Sequence, residues 1–507
     1  MAQRLQNITI AAPAFKGLNT QDSPLNGDSQ YASIVDNAVV DSYGRIGARK
    51  GLKLLTTDNT LLGGSKPSVL HEYEDVSGNT TVFSVVNEKI LSGKTTLSEV
   101  TPSSYTINNN KFQVVNFNDK CYFFNKGHMP LVYDSVNGMQ VMDTTPSFSG
   151  TAPQGDVALA GFGRLWVAGV TGQPNTVYWS DLLIGEAWDT GSSGSLNLDK
   201  VWADGADKVT ALSIWNGYLV IFGYNSIVLY QGAEDPATMS LADTVSGAGC
   251  VERDSVQATG TDLLFLSSRG LMSMGRTVQE KSNPINDVSK NIRDDLTAIW
   301  KSETDHVKSV YSAVNSFYLL VFPSSNTIYC FDTRGLLENG SYRVTRWVTE
   351  KHYTFLSTQD DTLLVANSDG INEYSGYTDN NESYRMRYFS NPLSFGDSSS
   401  IKFLKKIIPT IIGGSGLEAS IKWAYDFTND FKGQAITLNE NGTAAYYGIA
   451  KFNTDAKYVS GGSLLSKKRI NTTGSGNTVT VGLECDIEGG ALSLQELNIH
   501  AMIGRIY

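Results

Sequence analysis

The stretch Lys208–Gly232, KVTALSIWNGYLVIFGYNSIVLYQG, contains three apolar runs separated by turn-forming residues. The turns lie at Asn216-Gly217 and at Tyr224-Asn225. Asn-Gly between two apolar runs favours a tight hairpin, because both residues tolerate the positive φ that a type I′ turn requires. The stretch is therefore predicted to form a β-meander of three strands.

The same layout of apolar runs and turns recurs along the chain before and after this stretch. A β-meander cannot bury both of its faces alone, so successive copies are expected to stack face to face. About seven copies, spaced roughly 43 to 54 residues apart, predict a β-propeller of about six or seven meander repeats over residues 67–377. The alternative is a series of unrelated hairpins in a β-sandwich, whose strands usually lack such a long period. The first turns of the other copies are Ser77-Gly78-Asn79, Asn118-Asp119, Gly163-Arg164, Asp262, Asn315-Ser316 and Asp360-Asp361.

Composition places the 507-residue chain among folded all-β proteins. It has 48 Gly and 24 Tyr but only 13 Pro, which is typical of many strands joined by tight turns. No apolar run approaches the length that crosses a membrane, and MAQRLQNITIAAPAF has no apolar signal core. We therefore expect a cytoplasmic site of synthesis and four free, buried thiols, at Cys121, Cys250, Cys330 and Cys485.

Charge is distributed unevenly along the chain. The net charge is −11, yet residues 380–507 contain 13 Lys+Arg against 11 Asp+Glu, while the first 379 residues contain 27 against 40. An acidic body argues against tight, general nucleic-acid binding, which needs cations on the phosphates. It remains compatible with a surface that nucleic acid must pass without adhering.

The two ends of the chain do not follow the repeat. Residues 1–66 are rich in turns and are predicted to be an arm that docks on a neighbour or lies on the surface. Residues 378–507 begin with a linker or long turn (378–383) and then alternate apolar and polar residues, which predicts a β-sandwich-like C-terminal domain. Within the repeats, Val288, Ile292, Leu296 and Ile299 predict an amphipathic helix near 286–300.

Several short segments resemble one family of viral structural proteins. GLNTQDSP and VDNAVVDSYGRIGARKG are similar to the N-terminus of tail nozzle proteins of short-tailed bacteriophages, the tail tubular protein B family. Trp179-Ser180-Asp181 with Gly185-Glu186-Ala187-Trp188 resembles its blade-ending pattern, although Glu186 stands where that pattern has Asp. Asn283-Pro284-Ile285 resembles its Ser-x-Pro-Ile segment.

The resemblance implies a structural, non-enzymatic protein of the virion tail. It implies a homohexameric ring below an adaptor protein, assembled in the host cytoplasm, with a tail fibre or tailspike as a further partner. Viral double-stranded DNA would pass through the channel during genome ejection. Like charge on the channel wall would let DNA slide past, so acidic turn residues are candidates for that wall. These candidates are Asp119, Asp262, Asp360 and Asp361.

Basic residues near both ends are candidates for contacts with an acidic neighbouring subunit, although a solvated charge run is the simpler interpretation. The candidates are Arg45, Arg49, Lys50, Lys405, Lys406, Lys467, Lys468 and Arg469.

The sequence lacks the usual signatures of catalysis. It has no GxxxxGK[ST], HExxH or GxSxG motif, and its five histidines are far apart. We therefore predict no catalytic residues, no metal site and no cofactor. One alternative is a tail-associated propeller that binds glycans or cleaves polysaccharide, and exposed aromatics with paired carboxylates in one cleft would favour it. Another is a cytoplasmic propeller scaffold that binds a peptide across its central channel.

Overall fold

The computed structural model describes residues 5–23, 28–202, 205–260, 262–280, 287–428, 430–438, 443–444, 456–457 and 465–504. The chain divides into two compact units. The propeller unit comprises residues 54–326 and 349–373, and the sandwich unit comprises residues 1–53, 327–348 and 374–507.

Within its described residues, the propeller unit has six antiparallel meander sheets and one further hairpin, which confirms the predicted β-propeller of six or seven repeats. Each predicted first turn joins the first two strands of its repeat. Meander 1 has strands Val69–Glu74, Thr80–Val86, Lys89–Ser92 and Ser98–Glu99; meander 2 has Gln113–Phe117, Lys120–Phe124, Leu131–Asp134 and Gly138–Val141; meander 3 has Val157–Gly161, Arg164–Ala168, Thr176–Trp179 and Gly194–Asn197. Meander 4 has Val209–Trp215, Tyr218–Gly223, Ser226–Gln231 and Ser240–Ser246; meander 5 has Gln257–Ala258, Leu263–Ser267 and Gly270–Ser273; the hairpin has Lys308–Ser312 and Phe317–Phe322; meander 6 has Thr354–Ser357, Leu363–Asn367 and Gly370–Tyr374.

The first strands of these repeats follow one another around a ring, and the first strand of meander 6 lies beside that of meander 1. Between meander 4 and the hairpin, the 3₁₀ turn Arg253–Ser255 contacts the first strand on each side. Apolar clusters fill the spaces between neighbouring sheets. Phe83 of meander 1, for example, packs edge-on against Phe123 of meander 2 with ring centroids 5.4 Å apart. The cores therefore lie between repeats, as expected for sheets that cannot bury both faces alone.

Asn216 and Gly217 show why the opening stretch forms a hairpin. Their φ angles are 48° and 78°, so both residues adopt the left-handed conformation of a type I′ turn. Trp215 pairs with Tyr218 across the turn.

Helices are few in the described residues. Helix α1 spans Met274–Glu280 and helix α2 spans Arg293–Ser302, preceded by the 3₁₀ turn Lys290–Ile292. The predicted helix near 286–300 is confirmed in kind, with Ile292 and Leu296 buried on one face. Asn286, at the start of the predicted range, and the segment Asn283-Pro284-Ile285 lie outside the described residues. Further 3₁₀ turns lie at Thr60–Leu62, Met142–Thr144 and Arg253–Ser255.

The sandwich unit has two sheets that share one hydrophobic core. This agrees with the predicted C-terminal β-sandwich-like fold. The first sheet contains Leu5–Ala11, Ala38–Val40, Ile46–Ala48, Lys402–Gly413, Leu465–Lys467, Ile470–Asn471, Ser475–Gly476 and Leu492–Ile503. The second sheet contains Gly17–Leu18, Tyr31–Asp36, Thr327–Asp332, Arg343–Val348, Tyr384–Ser390, Glu418–Tyr425, Lys432–Thr437 and Val479–Ile487. Other strands are Leu52–Leu54, Thr443–Ala444 and Ala456–Lys457.

The N-terminal segment differs from the predicted separate arm. Strand Leu5–Ala11 pairs along its length with Leu492–Ile503, and strand Tyr31–Asp36 pairs with Tyr384–Ser390. Residues 1–53 therefore belong to the same compact unit as the C-terminal strands. The physical reason is that the edge of the last strand satisfies its backbone hydrogen bonds with the first strand of the chain.

The division into units sharpens the charge asymmetry. The propeller unit contains 18 Lys+Arg against 33 Asp+Glu, a net charge of −15. The sandwich unit contains 22 against 18, a net charge of +4. The acidic character of the protein thus belongs entirely to the propeller unit.

Candidate functional site: a propeller rim and a basic sheet face

The predicted channel acids all lie at first turns of propeller repeats. The first turns of meanders 1 and 2 meet, because the Val76 amide donates to Oδ1 of Asp119 at 2.9 Å. The first turn of meander 6 contacts the first strand of meander 1, where the Gln359 amide donates to Oε2 of Glu72 at 2.7 Å. The first turns carry Asp119, Asp262, Asp360 and Asp361.

These four acids are not equivalent. Asp360 and Asp361 are exposed, and Asp119 is exposed while holding the neighbouring turn through Val76. Asp262 is half-buried, because its Oδ1 accepts the amides of Leu263 and Gly275 and its Oδ2 accepts the Ser273 hydroxyl. Asp262 therefore links meander 5 to the start of helix α1 and is the weakest candidate for a channel wall.

The two C-terminal basic clusters come together on neighbouring strands of the first sandwich sheet. Thr410 lies opposite Lys467, and Lys406 lies opposite Asn471, two residues after Arg469. Lys405, Lys467 and Arg469 are exposed. We call this surface the basic face; it comprises Lys405, Lys406, Lys467, Lys468 and Arg469.

His500 lies in the same sheet, opposite Lys406. Burial, together with the charges of Lys406 and Arg469, lowers the pKa of His500 below its usual value. The imidazole is therefore neutral at neutral pH, and the positive charge of the face comes from lysine and arginine.

Arg49 is not an interface residue, which corrects the expectation from sequence. Its side chain is fully buried and makes a bidentate ion pair with Asp379, with N···O distances of 2.9 and 2.7 Å. The guanidinium carbon lies 4.0 Å from the ring centroid of Tyr384. The Asp379 carboxylate keeps the pKa of Arg49 raised despite burial, which by itself would lower it. The predicted linker at 378–383 is thus an ordered turn bound to the N-terminal segment.

Arg45 and Lys50 differ in their surroundings. Arg45 is occupied locally, with its Nε 2.7 Å from Oδ2 of Asp41 and its guanidinium over the Tyr43 ring. Lys50 is exposed, with its Nζ 6.0 Å from the centroid of Tyr374. Of the three N-terminal cations proposed, Lys50 remains the most accessible.

The segment that carries the family resemblance forms a buried polar network that sequence reasoning missed. Asp36, 1% exposed, pairs with Arg346 at 2.8 Å and with Arg387. Asn37 accepts from Arg49 at 3.2 Å and donates to the Arg385 carbonyl at 2.8 Å. Apart from Arg49, these partners lie more than 300 residues away, so no local pattern indicates them. The one sequence signal for this network was the presence of several polar residues in an otherwise apolar strand.

The Trp179-Ser180-Asp181 segment is also a structural element. Asp181 Oδ1 accepts the Leu182 amide at 2.8 Å and the Ser192 amide at 2.9 Å, and these hydrogen bonds lower the pKa of Asp181. The Trp179 indole donates to the Ser192 carbonyl at 2.9 Å. These contacts close the loop between the last two strands of meander 3.

A cavity of about 410 Å³ lies among the first strands of the propeller ring. Its wall includes Arg253, Asp254 and Lys308, where Nζ of Lys308 donates to Oδ2 of Asp254 at 3.0 Å. Burial opposes the ionisation of Asp254, but the charges of Arg253 and Lys308 hold its pKa well below the usual range. Asp254 is the single carboxylate of this wall, so the described wall has no acid and base pair of the kind used by glycosidases.

Other chemistry can be assessed only for the described part of the chain. There, no three His, Cys, Asp or Glu side chains group as a metal site would require. No helix in that part is long and apolar enough to cross a membrane. All four cysteines are free and buried, as predicted, and burial raises the pKa of Cys250 and of Cys485 to about 12.

Comparison with known proteins leaves the family open. No family model and no curated protein matches the chain. Solved structures that resemble it include the extracellular domain of BT4673 from B. thetaiotaomicron, at 12% identity and a TM-score of 0.40, over 65% of this chain and 40% of that domain. The Pan2 WD40 domain of Neurospora crassa matches at 12% identity and a TM-score of 0.35, over 64% of this chain and 94% of that domain. Similarity at this level carries no functional argument, and the propeller assignment rests on the sheet topology.

Proposed function

We propose that this chain is a structural subunit of the tail nozzle of a short-tailed bacteriophage. In this proposal, copies close into a ring below an adaptor protein, and viral double-stranded DNA leaves through the channel. The observation that carries the proposal is the pair of segments GLNTQDSP and VDNAVVDSYGRIGARKG, which resemble the nozzle family.

The structure supplies physical reasons for the residue types in those segments. A side chain at Gly17 or Gly51 would collide with backbone, because a Cβ at Gly51 would lie 2.1 Å from the Thr378 carbonyl oxygen. Asp36, Asn37 and Arg49 are buried and hydrogen-bonded. The segments are therefore constrained by the sandwich unit, and they support a shared fold more directly than a shared activity.

The charge division supports the assembly part of the proposal. Identical copies that close head to tail into a ring contact each other through two different surfaces. The propeller unit, with a net charge of −15, and the sandwich unit, with +4, would supply two surfaces of opposite charge. Exposed acids such as Asp119, Asp360 and Asp361 would repel DNA phosphates wherever they face the channel.

Electron microscopy and native mass spectrometry of the purified chain, alone and with particle extracts, test this proposal. A closed ring of six copies with an axial channel is the expected result. A channel wall that is net positive would refute the sliding mechanism even if the ring formed. Assembly into a particle with no channel would refute the nozzle function.

The central cavity favours a second candidate, a tail-associated propeller that binds glycans. Its lining residues include Phe112, Tyr311 and Phe355 beside polar residues, a mixture typical of small-ligand pockets. Calorimetric titration with host surface oligosaccharides tests it. Binding that is lost in Phe355→Ala but kept in Val314→Ser, an exposed substitution, would favour this candidate.

A further inference from the structure

The loop that follows Trp179 presents three consecutive apolar side chains to solvent. Leu182, Leu183 and Ile184 are 50%, 57% and 41% exposed. Gly185 directly after them is buried, and the half-buried Asp181 directly before them is held by the Ser192 amide, so both ends of the loop are anchored. Three exposed apolar residues in a row on an anchored loop differ from the scattered single residues that are normal on protein surfaces.

The backbone holds these side chains outward in a defined conformation. The Leu183 amide donates to the Gly163 carbonyl at 2.8 Å, and the Leu183 carbonyl accepts from Nδ2 of Asn118 at 2.8 Å. Leu183 has a φ of 60°, the left-handed region that costs a non-glycine residue about 1–2 kcal/mol. The turns that contain Gly163 and Asn118 therefore hold the Leu183 backbone in a strained conformation that leaves its side chain exposed to water.

The apolar surface extends across neighbouring repeats. Val76, in the first turn of meander 1, is 84% exposed and donates its amide to Asp119, next to the Asn118 that holds Leu183. Val136, in the last turn of meander 2, is 88% exposed. We call these five residues the leucine rim; they are Val76, Val136, Leu182, Leu183 and Ile184.

The charges between these apolar residues are acidic. Hydrogen bonds from Asn79 lower the pKa of Asp75, and amide hydrogen bonds lower that of Asp181, so both are ionised at neutral pH. The nearby cations are already paired: Lys120 contacts Glu186, and Arg164, 3% exposed, lies 4.0 Å from Asp181. The rim therefore fits a partner surface that is both apolar and positively charged.

The chain itself carries such a surface on the sandwich unit. The basic face includes the exposed Lys405, Lys467 and Arg469, and Leu465 at its edge is 53% exposed. Resting on the ring assembly proposed above, we infer that the leucine rim of one copy binds the basic face of a second copy. The rim supplies apolar contact and the acids select the partner's orientation.

Photo-crosslinking and sedimentation of the full chain test this inference. A photoreactive residue in place of Leu183 should crosslink to residues 402–413 or 465–471 of a second copy. Leu182→Ser with Leu183→Gly and Ile184→Ser should weaken self-association at least about tenfold, while the fold keeps its stability because the strained leucine is gone. Leu241→Ser with Val314→Ser, two exposed apolar residues that do not belong to the leucine rim, is the matched control and should change little.

A charge exchange distinguishes this specific contact from non-specific hydrophobic association. Lys406→Glu should weaken association, and combining it with Asp119→Lys should recover part of the loss. The inference would be overturned if Leu183 crosslinked only to other surfaces or to none at any concentration. It would also be overturned if the triple variant associated as strongly as the unaltered chain. A ring that forms independently of the rim would leave the nozzle proposal standing. Rim crosslinks in an assembly without a channel would refute the nozzle proposal alone.

Discussion

At the residue scale, the most consequential side chain is Arg49. It is fully buried, and the carboxylate of Asp379 balances its charge, so removing either partner leaves an uncompensated buried ion. Arg49→Met is expected to destabilise the protein by about 3–5 kcal/mol in urea denaturation.

The exposed pair Arg385–Asp486 is the matched control for Arg49. Its side chains are 60% and 54% exposed, with an N···O distance of 2.8 Å. Arg385→Met should cost less than about 1 kcal/mol, because water already solvates both groups. Equal losses in the two variants would contradict a special role for the buried pair.

His500 provides a second test at this scale. Burial and the charges of Lys406 and Arg469 lower its pKa in the folded protein, so the unfolded chain binds the proton more readily. The contribution of His500 to stability is therefore complete above the unfolded pKa near 6.5 and declines as the pH falls toward the folded value.

An NMR titration of the imidazole checks the cause. In Lys406→Met the pKa of His500 should rise relative to the unaltered protein, because one repelling charge is gone. The conservative Lys406→Arg should leave it nearly unchanged. An identical titration in Lys406→Met would show that the charge of Lys406 does not contribute to the shift.

At the element scale, the Asn216-Gly217 turn links sequence to fold most directly. No atom lies within 4 Å of a Cβ built on Gly217, yet its φ is 78°. Gly217→Ala should therefore cost about 1 kcal/mol through backbone strain alone, measured by thermal unfolding.

Gly335 serves as the control for Gly217. A Cβ there also meets nothing within 4 Å, and its φ is outside the left-handed region, so Gly335→Ala should be close to neutral. An equal effect at both positions would show that the loss does not arise from the turn conformation.

At the scale of the whole molecule, strand Leu5–Ala11 near the start of the chain pairs with strand Leu492–Ile503 near its end. Removing residues 1–11 exposes the edge of Leu492–Ile503, so hydrogen exchange should accelerate in that strand. The strands of meander 4 belong to the other unit, and their protection should be unchanged. Uniform acceleration across both units would contradict the division of the chain.

The sequence alone determined what is local. Turn residues such as Asn118, Asn216 and Asp361 set the period of the propeller, since a positive φ is a property of the residue and its neighbours. The apolar period of the helix ending at Ser302 followed for the same reason.

Only the tertiary structure decided what depends on distant partners. It placed residues 1–53 with the C-terminal strands, buried Arg49 against Asp379, and joined two basic clusters into one face. It also placed Leu183 on an acidic rim through Gly163 and Asn118. A charged or apolar residue looks the same in the sequence whether it is paired, buried or exposed. Which of these states it adopts is decided by the long-range pairing of strands.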